Sequence, residues 1–262
     1  MSYQTLDARR DDGIERLTLQ RPEVRNAFND VMVAELTAWA RATAADPGVR
    51  AVVIAGAGPT FCAGADLAWM AKSIEYTEAE NLADARLTAA MFAAINALPV
   101  LVIGRVHGAA LGGGAGLAAV CDLVISEEPA VFGFTEVKLG IIPAVISPFV
   151  LAKIGRSAAR ELFLTGRRFT AQHALDIGLV HAVVPPDRLD DAVGAACQEA
   201  LAAGPQAVAA AKRLIEDAWT AESADDAQRL TAAALAERRG SAEGQEGLRA
   251  FLQKRKPDWS GV

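Results

Sequence analysis

Cysteine is scarce in this 262-residue chain. Cys62, Cys121 and Cys197 are scattered, odd in number and never in a CxxC pair, which argues against a disulfide framework and against a cysteine-based zinc site. No run of about 18 apolar residues exists to span a bilayer, and the polar opening MSYQTLDARRDDG lacks the apolar region of a secretion signal. Basic excess is missing too. Lys and Arg number 26 against 32 Asp and Glu, for a net charge of −6 and a pI near 5.2, so the chain carries no footprint for nucleic acid or an anionic membrane. Any anionic ligand must be held by local basic groups or backbone dipoles. Familiar signatures are absent as well: there is no GxSxG elbow, no HExxH pair, no GxGxxG, and no Gly-Lys-Ser/Thr after a glycine run. What remains is a chain with 52% hydrophobic and 22% charged residues, long enough for one large core. A cytoplasmic enzyme is the expectation.

Residues 14–19 alternate as a strand, and Val49–Ala55 is a β-branched run that predicts another. Between them Asn29 suits the cap of a helix over about 30–43, ended by Asp46-Pro47-Gly48. A helix over about 77–98 stops at Pro99. A buried strand over 99–107 then leads into the small-residue segment GAALGGGAGLAAVCD, followed by short strands at 123–126 and 131–133 and a helix from near Ser147. Alternation of this kind predicts an α/β fold with mostly parallel pairing. From Pro205 onward three amphipathic helical stretches follow with no strand between them. The expected organisation is therefore a core over 1–200 and a helical region over 201–262.

Three segments could carry chemistry. In Phe61-Cys-Ala63-Gly-Ala65-Asp66-Leu67, small residues allow a ligand close to the backbone, and the Ala65 N–H would lie near a helix start. A plain turn in which Asp66 caps that helix explains the same residues. In Gly108-Ala-Ala-Leu-Gly112-Gly113-Gly114-Ala-Gly116, three consecutive glycines oppose helix propensity. Either N–H groups aimed at an oxyanion or tight helix–sheet packing would justify them. In Phe132-Gly-Phe-Thr-Glu136-Val-Lys138, an apolar setting would lift the Glu136 pKa toward values useful for proton transfer, unless the residue is a solvated partner of Lys138. His107, His173 and His181 are expected to be structural, and Cys62 has no histidine nearby in sequence to activate it.

Taken together, RPEVRNAF (21–28), FCAGADLAWM (61–70), VHGAALGGGAGLAAVCDLVI (106–125), FGFTEVKLGIIPAVIS (132–147) and EGLRAFLQKRKPDW (246–259) resemble the crotonase (enoyl-CoA hydratase/isomerase) superfamily over nearly the whole chain. The resemblance implies a spiral of ββα units and a C-terminal helical trimerisation region, assembled as homotrimers or homohexamers. It implies a coenzyme A thioester substrate and no separate cofactor, entering between Arg25-Asn26-Ala27 and Ala63–Leu67. The thioester oxygen would lie between the N–H groups of Ala65 and Gly113, with Glu136 as acid/base. Arg25, Ala27, Ala63, Asp66, Leu67, Gly112, Gly116 and Pro143 would line the substrate, and Lys254 would reach the CoA phosphates.

One departure stands out. Two-glutamate hydratases of the superfamily carry a first glutamate where this chain has Gly116, twenty residues before Glu136. Isomerases with a single glutamate, and some dihydroxynaphthoyl-CoA synthases that recruit bicarbonate, share that departure. The local sequences look most like bacterial methylglutaconyl-CoA hydratases, whose substrate brings its own distal carboxylate. That carboxylate could help order water in the space Gly116 leaves. The implied activity is hydration of a short branched or carboxylated 2-enoyl-CoA. An enoyl-CoA isomerase and a non-catalytic acyl-CoA-binding scaffold are the alternatives.

Overall fold

The structure, a computed structural model, describes residues 3–261. Its strands are β1 (Leu6–Asp11), β2 (Ile14–Leu19), β3 (Ala51–Gly56), β4 (Leu101–Val106), β5 (Ala109–Leu111), β6 (Leu123–Glu127), β7 (Val131–Gly133), β8 (Arg168–Thr170) and β9 (Ala182–Val184). The helices in the first part are α1 (Asp30–Ala44), α2 (Leu67–Ser73), α3 (Glu78–Asn96), α4 (Gly113–Ala119), α5 (Ser147–Thr165) and α6 (Ala171–Asp176). They are followed by α7 (Leu189–Ala202), α8 (Pro205–Trp219), α9 (Ala224–Gly240) and α10 (Ala242–Leu252).

A six-stranded sheet runs in the order β1-β2-β3-β4-β6-β9, antiparallel at β1/β2 and parallel thereafter. Side chains alternate across its central strands with period two. Val52, Ile54, Val102 and Val124 enter the main core with helices α1, α3, α4 and α5. Val53, Ile103 and Ile125 face the opposite way, onto Leu189, Val193 and Cys197 of α7. Burial on both faces accounts for the uninterrupted apolar runs of β3 and β4. A second sheet, β5-β7-β8, stands beside the first, and Phe132 stacks on Phe169 across it with ring centroids 5.9 Å apart. Strand pairs and helices thus repeat along the chain in the α/β order expected.

Caps set the helix starts. The Asn29 side chain accepts from Met32 N at 2.9 Å to open α1, and Thr77 with Glu80 forms a capping box on α3. The strand expected over 99–107 is β4; the chain then turns at His107-Gly108 and re-forms in the other sheet as β5, inside the small-residue segment where no strand was expected. The last helix ends at Leu252, and Lys254 takes a left-handed φ of 55° beyond it. Helices α8–α10 pack on one another. Lys212 of α8 ties them to the sheet region through Asp122, at 2.8 Å. Among the described residues no helix is long and apolar enough to cross a membrane.

Candidate active site

The loops that follow β2, β3, β5 and β7 gather at the carboxyl ends of parallel strands, where open α/β sheets hold their ligands. The first two are stitched together. Ala63 N donates to Arg25 O at 3.0 Å, Phe28 N to Gly64 O at 2.7 Å, and Asp66 N to Phe28 O at 2.8 Å. Arg25 and Asn26 both hold φ of 55°, a costly backbone for side-chain-bearing residues that persists only where surroundings over-determine it. Asn26, fully buried, supplies that determination. Its Oδ1 accepts from Arg21 N, and its Nδ2 donates to Ala57 O at 2.8 Å and Thr60 O at 2.7 Å. Arg21 adds a second brace, donating to Ala27 O at 2.6 Å and pairing with Asp66 at 2.7 Å.

The Ala65 N–H finds no acceptor among the described residues: its own peptide turns the Gly64 carbonyl to Phe28, and the N–H, trans to that carbonyl, points the other way. Gly64, at φ 95°, makes that turn and permits close approach. A Cβ there would lie 2.8 Å from Leu111 O and 3.5 Å from Gly113 N. The Gly113 N–H, in the first turn of α4, has no acceptor either. The three consecutive glycines divide their reasons. Gly112 needs its positive φ of 51°, Gly113 lies against the Phe28 ring, and a Cβ on Gly114 would sit 2.2 Å from Cys62 O. Close approach to the site and tight packing both apply, at different residues.

Glu136 opens a single 3₁₀ turn after β7. Its Oε1 lies 3.4 Å from where a Gly112 Cβ would be, and its Oε2 is buried without a hydrogen-bond partner. Burial lifts its pKa above the usual carboxylate range, a backbone hydrogen bond at Glu136 itself opposing part of the rise. Lys138 is exposed and makes no ion pair with it, so the solvated-pair reading does not hold. Two unpartnered N–H donors on adjoining segments, with a desolvated carboxylate at the next glycine, can hold an oxyanion while a proton is moved.

The other predicted positions fall into three groups. Arg25 is exposed, Ala63 is half-buried, and Leu67 is 82% exposed at the start of α2; Ala27 and Pro143 are buried at the edges of the same loops. Asp66 needs correction. Its side chain is spent on the Arg21 ion pair and on capping α2, accepting from Ala68 N and Trp69 N at 2.7 and 3.3 Å, so it braces the loop instead of facing a ligand. Gly116 needs correction too. The expected space is occupied: Ile146 Cγ2 lies 2.1 Å, and Ile146 Cβ 2.8 Å, from where a Gly116 Cβ would be. Lys254 lies beyond α10, and its backbone N–H donates to Phe251 O at 3.1 Å. Roles for Arg21 and Ile146 were not anticipated, and Asn26 and Gly64 were named only as members of the segments flanking the ligand.

The remaining reactive groups are structural. Burial pushes the Cys62 thiol up to about 12, and its Sγ contacts Asn26 O. His107 bridges Arg105 and the Gly58 carbonyl, His173 packs on Phe169, and His181 accepts from Val124 N. Among the described residues no group of three or more His, Cys, Asp or Glu could hold a metal ion.

Known proteins match this arrangement along the chain. The profile of the family described as enoyl-CoA hydratase/isomerase matches residues 9–262. The chain is 39% identical over 251 residues to the 2,3-dehydroadipyl-CoA hydratase of Escherichia coli, covering 94% of both. AtuE of Pseudomonas aeruginosa superposes with a TM-score of 0.94 at 40% identity, covering 98% of this chain and all of that one. An enoyl-CoA hydratase from Shewanella pealeana gives 0.94 at 36%, covering 98% and 96%. With its crotonase fold, the chain belongs to the enoyl-CoA hydratase/isomerase family of enzymes.

Proposed function

We propose that this enzyme adds water to, or removes it from, a short branched or carboxylated 2-enoyl-CoA such as 3-methylglutaconyl-CoA, with Glu136 as its acid/base. The observation that carries the reading is the buried, unpartnered Glu136 carboxylate beside Gly112, next to the free N–H groups of Gly113 and Ala65. In hydration, Glu136 takes a proton from water as the oxygen bonds to Cβ. Charge moves onto the thioester oxygen between the two N–H groups, and the same carboxyl then delivers the proton to Cα. Donors placed where charge develops lower that barrier more than the ground state. A carboxylated acyl group is supported by the E. coli relative, named for a substrate of that kind. Its distal carboxylate does not occupy the Gly116 position, which Ile146 fills.

Isomerisation is the second reading, favoured by the single carboxylate. Glu136 would take the Cα proton of a 3-enoyl thioester and return it at Cγ. A panel of crotonyl-, 3-methylglutaconyl-, 2,3-dehydroadipyl- and 3-enoyl-CoA, followed by ultraviolet absorbance, separates the readings. Loss of the conjugated enone signal marks hydration, and its appearance from the 3-enoyl thioester marks isomerisation. Tight binding without turnover would leave a scaffold. The reading includes homotrimers or homohexamers joined through the C-terminal helices, with Arg25 and Ala27 contacting CoA and Lys254 reaching the CoA of a neighbouring subunit. It places the enzyme in the cytoplasm.

A further inference from the structure

Residues 136–146 carry the candidate acid/base, yet among the described residues none of their backbone hydrogen bonds leaves the stretch 135–150. Lys138 N bonds Thr135 O, Gly140 N bonds Val137 O, Ile141 N bonds Glu136 O, Ala144 N bonds Ile142 O, and Ile146 O receives Val150 N. The near end of the segment is set by β7, where Gly112 N donates to Gly133 O at 2.8 Å three residues ahead of Glu136, and beyond the 3₁₀ turn packing must hold the far end. In the middle of the segment Pro143 is buried, but Leu139, Ile141 and Ile142 are all at least half exposed. Ile146, by contrast, is 1% exposed, and it meets Gly116.

Gly112 is the non-helical cap of α4, with a φ of 51°, and Gly116 lies in its first turn, where Gly116 N donates to Gly112 O at 3.0 Å. Glu136 Oε1 rests at the first glycine and Ile146 Cγ2 at the second. The segment therefore meets α4 at two points, with the carboxylate at the cap of the helix and a buried side chain on its first turn. That same helix carries the Gly113 N–H. We propose that Ile146, seated on Gly116, is a positioning residue that anchors the far end of this segment and so holds Glu136 in register with the Gly113 donor. On this view glycine at 116 is a socket for Ile146, and its missing side chain is what makes the single-carboxylate site possible. The inference rests on the proposed role of Glu136.

The test uses kcat and KM on whichever thioester of the panel turns over fastest, the Kd of unreactive butyryl-CoA, and a thermal melt. Gly116→Ala pushes a methyl into Ile146. It is expected to lower kcat by roughly 10- to 100-fold, the scale of a misplacement near 1 Å, with the butyryl-CoA Kd within about twofold because donors and CoA-side loops stay in place. Ile146→Gly, tolerable at a helix N-cap, should also lower kcat. The double variant should recover more activity than either single one, since the new methyl refills the emptied seat. A folded Gly116→Ala enzyme with unchanged kcat, or a double variant no better than the singles, overturns the proposal. If Gly116→Ala does not fold, Ile146→Ala decides. It removes the Cγ2 that meets Gly116, and a kcat loss of roughly 10-fold or more at unchanged Kd supports the seat, whereas unchanged kcat overturns it. Glu136→Gln separates the two levels: full turnover in that variant removes the acid/base reading, and its collapse leaves the seat to stand or fall on the other variants.

Discussion

Burial disfavours the ionised form of Glu136, and Oε2 has no donor to offset the loss of water. The folded state therefore holds this proton more tightly than the unfolded chain. The resulting stability is present below the unfolded pKa, near 4.3, and is lost as pH rises through the raised folded value. Glu136→Gln should cost roughly 10²-fold in kcat while raising Tm at pH 8 by about 2 °C or more, with the two melting curves converging as pH falls toward 4. A variant less stable than wild type at pH 8 would show that the charge has a partner in solution. Asp66 carries the opposite sign. Burial alone would raise its pKa, but Arg21 and the Ala68 and Trp69 N–H groups outweigh that and hold it low, so its contribution is lost only in acid. Asp66→Ala removes a cap and strands the mostly buried Arg21. Urea denaturation should register a loss of about 2–4 kcal/mol at pH 7. Glu136, Ala65 and Gly113 could be found in the sequence because each sits in a distinctive short run. Arg21, Asn26 and Ile146 could not. Asp66 lies 45 positions from Arg21, Thr60 lies 34 from Asn26, and nothing local separates the bracing Arg21 from the exposed Arg25.

At the scale of elements, helices with a clear cap and a regular apolar spacing, such as α1 and α3, were legible to within a few residues. Strand β1 was not, because LDARRD buries only Leu6 fully and its charges hide the alternation. Strands β8 and β9, three residues each, are too short for any period to show. The crossing from β4 to β5 was hidden for another reason: a change of sheet at Gly108 is a matter of partner, not of composition. How the late helices attach is equally non-local. Asp122 Oδ2 accepts from both Val102 N and Lys212 Nζ at 2.8 Å, so one carboxylate joins a strand edge to α8. Lys212→Met should speed amide hydrogen exchange in α8–α10 by roughly fivefold or more, as a loss of about 1 kcal/mol implies for a partly exposed pair. Exchange in β4 should stay unchanged, and equal acceleration in both would mean that the helices and sheet open as one unit.

Across the whole molecule, Ile215, Trp219, Leu235, Leu248, Phe251 and Leu252 are all at least half exposed on α8–α10, and exposed apolar side chains that cluster mark interaction surfaces. Sedimentation velocity should find a trimer or larger, and Trp219→Glu with Phe251→Glu should shift it toward monomer; a wild-type monomer would dispose of that surface as an interface. The three free thiols have a different use. Cys62 lies in the loop after β3, backbone-bridged to Ala110 of β5, Cys121 just ahead of β6, and Cys197 on α7 across the sheet, and all are buried. Burial pushes the thiols of Cys62 and Cys121 up to about 12 and raises that of Cys197, so little reactive thiolate exists at neutral pH. The native enzyme should therefore be nearly silent to Ellman's reagent and count three thiols once denatured. The order in which single-cysteine variants become labelled in dilute urea would map which layer of the protein opens first, a clock built into the chain without any engineered probe.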